Sequence, residues 1–203
     1  MVDKIVIGKN SSIAKGLSLS EVTYLSHNDS FEICGGKLVV VFSVDKKNEK
    51  GNELLFEKLV NARPSGIVLV SSVSVLIDEK SFYTYVKMKV LQEKLLLSSN
   101  IKFTILRLST PDWLKGSERI PNLLFKKESV ENYLNNINLI DLKNNIEYIV
   151  DYSSESGKIG LIYYRIYSLL PTLLMRFIDP FMRFCTNSTY GYSIESVYKY
   201  HKR

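Results

Sequence analysis

Tyr85 and Lys89 stand four residues apart, and Ser71 and Ser72 precede them at the end of an apolar run. That spacing places the phenol and the ammonium on one face of a helix, a turn apart. A phenol is a poor proton donor or acceptor at neutral pH, because its free pKa is about 10. A neighbouring ammonium favours the phenolate and brings proton transfer within reach. A serine hydroxyl beside the pair can hold a substrate oxygen while Tyr85 moves its proton. The chemistry on offer is proton transfer at a hydroxyl or carbonyl, with Ser72, Tyr85 and Lys89 as catalytic candidates.

The elements that must position these groups are legible around them. Residues 66–107 read as a buried strand, GIVLV, ending in the serine pair, then a charged turn, the helix of Tyr85 and Lys89, and a second apolar strand, FTILR. Upstream, KIVIG at 4–8 reads as a short buried strand and KNSSIAKGL as a turn opening a helix. EVTYLSH at 21–27 is the expected second strand, and LVVVFS at 38–43 is apolar enough for a strand covered on both faces. The ten residues NDSFEICGGK between them are too few for a full helix and strand, so one unit is expected to be shortened. In DKKNEKGNELLFEKLVNAR we expect a crossover helix with Asn52 as a cap and Leu54, Leu55, Leu59 and Val60 as its apolar face. Four alternations of strand and helix predict an α/β fold built on a parallel sheet. Ligands bind such sheets outside the carboxyl ends of the strands, where Gly8, Ser43, Ser72 and Arg107 all fall.

The first strand-to-helix junction suits a phosphate, because a helix start offers unpaired N–H groups and the positive end of its dipole. A dinucleotide fingerprint places glycines at three-residue intervals here, the third replaceable by alanine; this chain has Gly8, Ser11 and Ala14, so the second glycine is a serine. At the end of the second strand a carboxylate would favour NAD; Ser26, His27 and Asn28 offer none, and Asp29 comes later. Lys9, beside the glycine turn, suits a 2′-phosphate, which leans the choice towards NADP.

With these motifs in view, the chain resembles the short-chain dehydrogenases/reductases, and within them the extended, epimerase/dehydratase-like branch that works on nucleotide sugars. The family pattern is a strand-end serine, then Tyr-x-x-x-Lys with a glutamate four residues on. Here it reads SSVSV, Tyr85-Val-Lys-Met-Lys89, then Glu93. The alternative pair Tyr83 and Lys87 has the same spacing but Leu91 in the glutamate position. The resemblance implies a Rossmann-like doubly wound parallel sheet over residues 1–110 and a small, mostly helical substrate-binding lobe over 111–203. It implies NAD(P) held by Gly8, Lys9, Asn10, Ser11, Ser12, Ile13, His27, Phe42, Ser43, Val44, Ser71, Tyr85, Lys89 and Leu108. It implies hydride exchange with a nucleotide-linked keto-sugar, Tyr85 transferring the hydroxyl proton, Lys89 lowering its pKa and holding the ribose, and Ser72 orienting the oxygen. Bacterial surface-polysaccharide synthesis is the context that this likeness suggests. The chain departs from the pattern in its serine at position 11, in its shortened first half, and in the short stretch between Ser72 and Tyr85. Those departures leave open a second reading: a nucleotide-binding sensor or scaffold of the same fold.

Composition narrows the partners. A net charge of +6 suits an anionic ligand, yet the lysines are scattered and form no basic stripe interleaved with aromatics outside the C-terminal third, so nucleic acid is not expected. Cys34 and Cys185 lie far apart and only His27 and His201 are present, so neither a disulfide framework nor a metal site is expected. MVDKIVIG enters a strand without a signal peptide's apolar run, which fits a cytoplasmic protein. Past residue 110, Asp141 is read as a cap rather than a catalytic group. The stretch 161–184, LIYYRIYSLLPTLLMRFIDPFMRF, is broken by Arg165, Pro171, Arg176, Asp179 and Pro180, so it is too interrupted to span a membrane. A kinked core helix, a homodimer or substrate lid, and a peripheral helix on an anionic membrane are the three expectations for it.

Overall fold

The computed structural model describes residues 4–45, 48–72, 75, 84–108, 110–111, 124–125 and 127–149. Six parallel strands form one sheet: β1 (Lys4–Ile7), β2 (Val22–Leu25), β3 (Leu38–Val41), β4 (Gly66–Ser72), β5 (Phe103–Leu108) and β8 (Asn145–Ile149), in the order β2-β1-β3-β4-β5-β8. Helices α1 (Ser12–Gly16), α2 (Glu49–Asn61), α3 (Thr84–Leu97) and α4 (Lys127–Asn136) accompany them. Two short strands, β6 (Thr110–Pro111) and β7 (Leu124–Phe125), pair with each other. The expected α/β doubly wound sheet is thus present.

The inner strands β1, β3, β4 and β5 are apolar at nearly every position because both faces of the sheet are covered there. Alternation sends successive side chains to opposite faces. Ile5, Ile7, Val39, Val41, Ile67, Leu69 and Ile105 pack on one face with Leu55, Phe56 and Leu59 of α2 and Leu96 of α3. Val6, Val40, Val68, Val70, Leu106 and Leu108 pack on the other with Ala14 and Leu17 around α1 and Val130 and Leu134 of α4. Each of these large aliphatic side chains contributes about 1.5–3 kcal/mol by leaving water.

Three details differ from the sequence reading. The N-cap of α2 is Asn48, whose side chain accepts the Gly51 N–H at 3.1 Å. Asn52 sits inside the helix, fully buried, and serves another purpose described below. The buried face of α2 carries Asn52, Leu55, Phe56 and Leu59, while Leu54 and Val60 are exposed. Asp141 is the third residue of a 3-10 turn (Leu139–Asp141) that precedes β8, and its carboxylate accepts the N–H of Asn138, the residue that caps this turn.

The shortening of the first half is real. Only a 3-10 turn, Glu32–Cys34, lies between β2 and β3, and among the described residues the sheet ends at β2. At its other side, β8 extends the sheet beyond β5 and α4 packs on it. Of the segment 111–203, residues 127–149 therefore share the layers of the sheet, and 150–203, including 161–184, lie outside the described residues. The first strand and the last described helix are clasped together: Lys4 Nζ, largely buried, donates to the carbonyls of Leu134 at 2.9 Å and of Asn135. Burial lowers the Lys4 pKa, partly offset by Glu21. Beside this clasp the Ser18 N–H donates to Glu131 and the Ser20 N–H to Asn135 Oδ1 at 3.0 Å.

Candidate active site

The chain runs from β1 outwards to β2 and then returns across β1 to β3, so the order reverses between β1 and β3. In open parallel sheets this switch point is where a crevice opens at the carboxyl ends. Gly8, directly after β1, has φ +107, and a Cβ there would come within 2.7 Å of Ser43 N. Only glycine permits both the backbone conformation and the approach. The Gly8 and Lys9 N–H groups donate to the Leu25 carbonyl, while those of Phe42 and Ser43 donate to that of Ile7. The turn from Gly8 through Ile13 is thereby fixed against the ends of β2 and β3. Lys9, Asn10 and Ser12 are exposed, Ser11 and Ile13 half-buried. Ser11 is the N-cap of α1 by position, but its side chain makes no capping hydrogen bond.

At the end of β2, His27 is exposed. Asp29 folds back on its own turn, accepting the Ser26 N–H at 2.7 Å. After β3, Phe42 is buried in the core, and Ser43 and Val44 are half-buried at the crevice edge.

Helix α3 brings the proton-transfer candidates to β4. Lys89 is 2% exposed; its Nζ donates to the Val70 carbonyl at 2.8 Å and to Gln92 Oε1 at 3.3 Å. The same ammonium lies 6.0 Å from the centroid of the Tyr85 ring, which packs against Val75, Val86 and Val90. Lys87 is exposed, so of the two lysine registers it is Lys89 that faces the sheet. Ser72 ends β4, half-buried, paired with Leu108 of β5.

Ser71 and Arg107 are placed differently from Ser72. The Ser71 hydroxyl donates to Glu93 Oε1 at 2.5 Å. Arg107 meets the same carboxylate through two bonds, Nε to Oε1 at 3.1 Å and Nη2 to Oε2 at 2.6 Å. Arg107, expected at the crevice, is thus turned towards α3, because alternation along β5 puts it on the face of Phe103 and Ile105. The fork-like pairing of guanidinium and carboxylate fixes α3 against both β4 and β5. Leu108 lies in the core with Val130 and Leu134, so any ligand contact there falls to its backbone.

Two residues of this region escaped the sequence reading. Gln92 is completely buried and Asn52 nearly so, and they bond to each other and to the loop after β3. The available signal was position: Lys89, Gln92 and Glu93 follow i, i+3, i+4 spacing and so share one face of α3. Among the described residues no cluster of His, Cys, Asp and Glu could hold a metal ion, and no helix is long and apolar enough to cross a membrane.

No family model and no curated protein matches the chain. Solved structures do. A short-chain dehydrogenase/reductase from Veillonella parvula in complex with NADP is similar over 77% of this chain and 98% of its own, at 14% identity and a TM-score of 0.55. The enzyme WbmG of Bordetella bronchiseptica, solved with NAD and UDP, is similar over 84% of this chain and 80% of its own, at 11% identity and a TM-score of 0.53. DesIV of Streptomyces venezuelae, a dTDP-glucose 4,6-dehydratase solved as a double mutant with NAD and DAU bound, is similar over 79% of each chain, at 11% identity and a TM-score of 0.56. By its six-stranded parallel sheet and flanking helices, this chain has the Rossmann-like fold of the short-chain dehydrogenases/reductases and NAD-dependent epimerase/dehydratases that its sequence resembles.

Proposed function

We propose that the chain is an NAD(P)-dependent enzyme of the epimerase, dehydratase or reductase type, acting on a nucleotide-linked sugar for surface-polysaccharide synthesis. The observation that carries this reading is the buried Lys89 ammonium, held on the Val70 carbonyl beside the Tyr85 ring at the carboxyl edge of the sheet. A buried charge is costly unless it is paired or hydrogen-bonded, and buried ionisable groups gather at functional sites. The solved structures with this fold add support: WbmG was solved with NAD and UDP, and DesIV, a dTDP-glucose 4,6-dehydratase, with NAD.

The residues present fit a dinucleotide. Gly8 makes the tight turn that closes on Ser43, and the Ser11 and Ser12 hydroxyls that follow it are placed to meet a pyrophosphate. Because Asp29 is engaged with the Ser26 N–H and Lys9 is exposed, the ribose end favours a 2′-phosphate and hence NADP. Bound there, the nicotinamide supplies hydride chemistry. The chain supplies the proton chemistry: Tyr85 gives or takes the proton of a sugar hydroxyl, and Lys89 favours the phenolate by its charge. Ser72 holds the same oxygen by a hydrogen bond, and the part of 111–203 other than 127–149 contributes the substrate side.

The test is a titration with NADPH and NADH followed by nicotinamide fluorescence, then turnover of keto-sugar nucleotides by the wild type and Tyr85→Phe. Binding with turnover that the substitution abolishes is the expected result. If neither dinucleotide binds, the proposal falls. The five-residue α1 and the sheet's end at β2 favour a second reading, a nucleotide sensor or scaffold. Binding without any turnover, unchanged by Tyr85→Phe, would select it.

A further inference from the structure

We infer that Gln92 is a positioning residue that locks the proton-transfer lysine to the dinucleotide edge of the crevice; the inference rests on the role proposed for Lys89. Its amide is fully buried and uses both ends. Oε1 accepts from Lys89 Nζ at 3.3 Å, while Nε2 donates to the Ser43 carbonyl at 2.8 Å and to Asn52 Oδ1 at 2.9 Å.

The polarity of this chain of bonds is determined, not arbitrary. Asn52 Nδ2 faces two carbonyls, those of Asp45 at 2.8 Å and Asn48 at 2.9 Å, and its Oδ1 accepts the Asp45 N–H at 3.0 Å. Asn52 must therefore present oxygen to Gln92, and Gln92 must answer with nitrogen. That leaves only oxygen for Lys89. Ser43, at the other end, is the residue against which the Gly8 turn closes. One continuous path thus runs from the Gly8 turn through Ser43 and Gln92 to Lys89 and the Val70 carbonyl. The side chain does not touch the reacting atoms; it fixes where the ammonium stands relative to the loop that borders the cofactor. A shorter or apolar residue cannot do both jobs, since one end must accept and the other must donate twice.

Two variants separate the ends. Gln92→Met keeps the length and removes both functions; Gln92→Glu keeps an acceptor for Lys89 and removes the donors to Ser43 and Asn52. With ¹⁵N-lysine-labelled full-length protein, the Lys89 ammonium resonance is assigned by its loss in Lys89→Arg. We expect it to be visible in the wild type and Gln92→Glu and lost to fast exchange in Gln92→Met, in proteins shown to be folded by their melting transitions. NADPH affinity should fall about tenfold or more in both variants, the scale of a lost buried hydrogen bond to a charged or loop-anchoring group. An unchanged Lys89 resonance in Gln92→Met, its loss in Gln92→Glu, or NADPH affinity within about twofold of wild type in either folded variant overturns the inference. If Gln92→Met does not fold, Gln92→Glu alone decides by the same criteria. Should the wild type bind neither NADPH nor NADH, the proposed function falls by itself, and the lysine resonances still report whether Gln92 positions Lys89.

Discussion

Removing either partner of the Glu93–Arg107 pair should cost more stability than any exposed ion pair in the molecule. The side chains are 4% and 12% exposed, and the two are joined by a bidentate contact reinforced by the Ser71 hydroxyl. Glu93→Leu takes from the Arg107 guanidinium the carboxylate that it meets through two bonds in the low-dielectric layer between α3 and the sheet; Arg107→Met leaves the Glu93 carboxylate to the Ser71 hydroxyl. Each single variant is expected to lose about 3–5 kcal/mol, the cost of breaking a buried pair from one side rather than the net worth of the pair. Against a total of about 5–15 kcal/mol for a domain, that is a large share. Urea unfolding followed by circular dichroism should show a midpoint lower by roughly 1–3 M with the slope unchanged. The double variant, Glu93→Leu with Arg107→Met, removes both charges together and should recover most of the loss, leaving about 1–2 kcal/mol for the Ser71 hydroxyl and imperfect packing. Lys127, in an i,i+4 pair with Glu131 at the surface, gives the comparison: Lys127→Ala should change stability by less than about 0.5 kcal/mol. Single variants that lose under about 1 kcal/mol, or a double variant no more stable than either single one, would refute the reasoning.

Gly8→Ala forces a Cβ to within 2.7 Å of Ser43 N at a φ of +107; thermal unfolding should show a loss of about 1–3 kcal/mol, with dinucleotide binding weakened beyond what the fold loses. Lys4→Met leaves the Leu134 and Asn135 carbonyls without their ammonium at the end of α4, and chemical unfolding should register about 1–3 kcal/mol. Burial pushes the Cys34 thiol from about 9 up to about 11. The unfolded chain thus releases this proton first as pH rises, so the stabilisation is complete below about 9 and drains away towards 11, about 2–3 kcal/mol in all. Urea midpoints of the wild type should fall more steeply than those of Cys34→Ala between these values, and parallel curves would contradict the assignment.

The sheet was legible because KIVI, LVVV, GIVLV and FTILRL are continuous apolar runs bounded by glycine, proline or polar turns, and burial on both faces produces that pattern directly. The shortened crossover between β2 and β3 could be read from chain length alone. The choice of Lys89 over Lys87 followed from Glu93, and the structure gives Glu93 its reason: it is the anchor for Ser71 and Arg107. Gln92, Asn52 and the true bearing of Arg107 were not legible. Hydrophobic periodicity locates where apolar side chains gather, whereas these are polar groups packed inside, each with a partner that lies 14 to 49 positions away. Asn52 in particular has the composition of a helix cap, and only the presence of Asn48 a turn earlier frees it for the interior.

The clasp between Lys4 and the end of α4 bears on how the molecule is made. The flank of the sheet carrying Val6, Ala14 and Leu17 finds its covering residues in Val130, Leu134 and Ile137. During synthesis, then, β1 must wait on the ribosome, one side covered only in part by the residues around α1, until more than a hundred further residues have emerged. Folding cannot be completed from the front backwards, and a nascent chain halted near residue 110 is one that a chaperone would find unfinished.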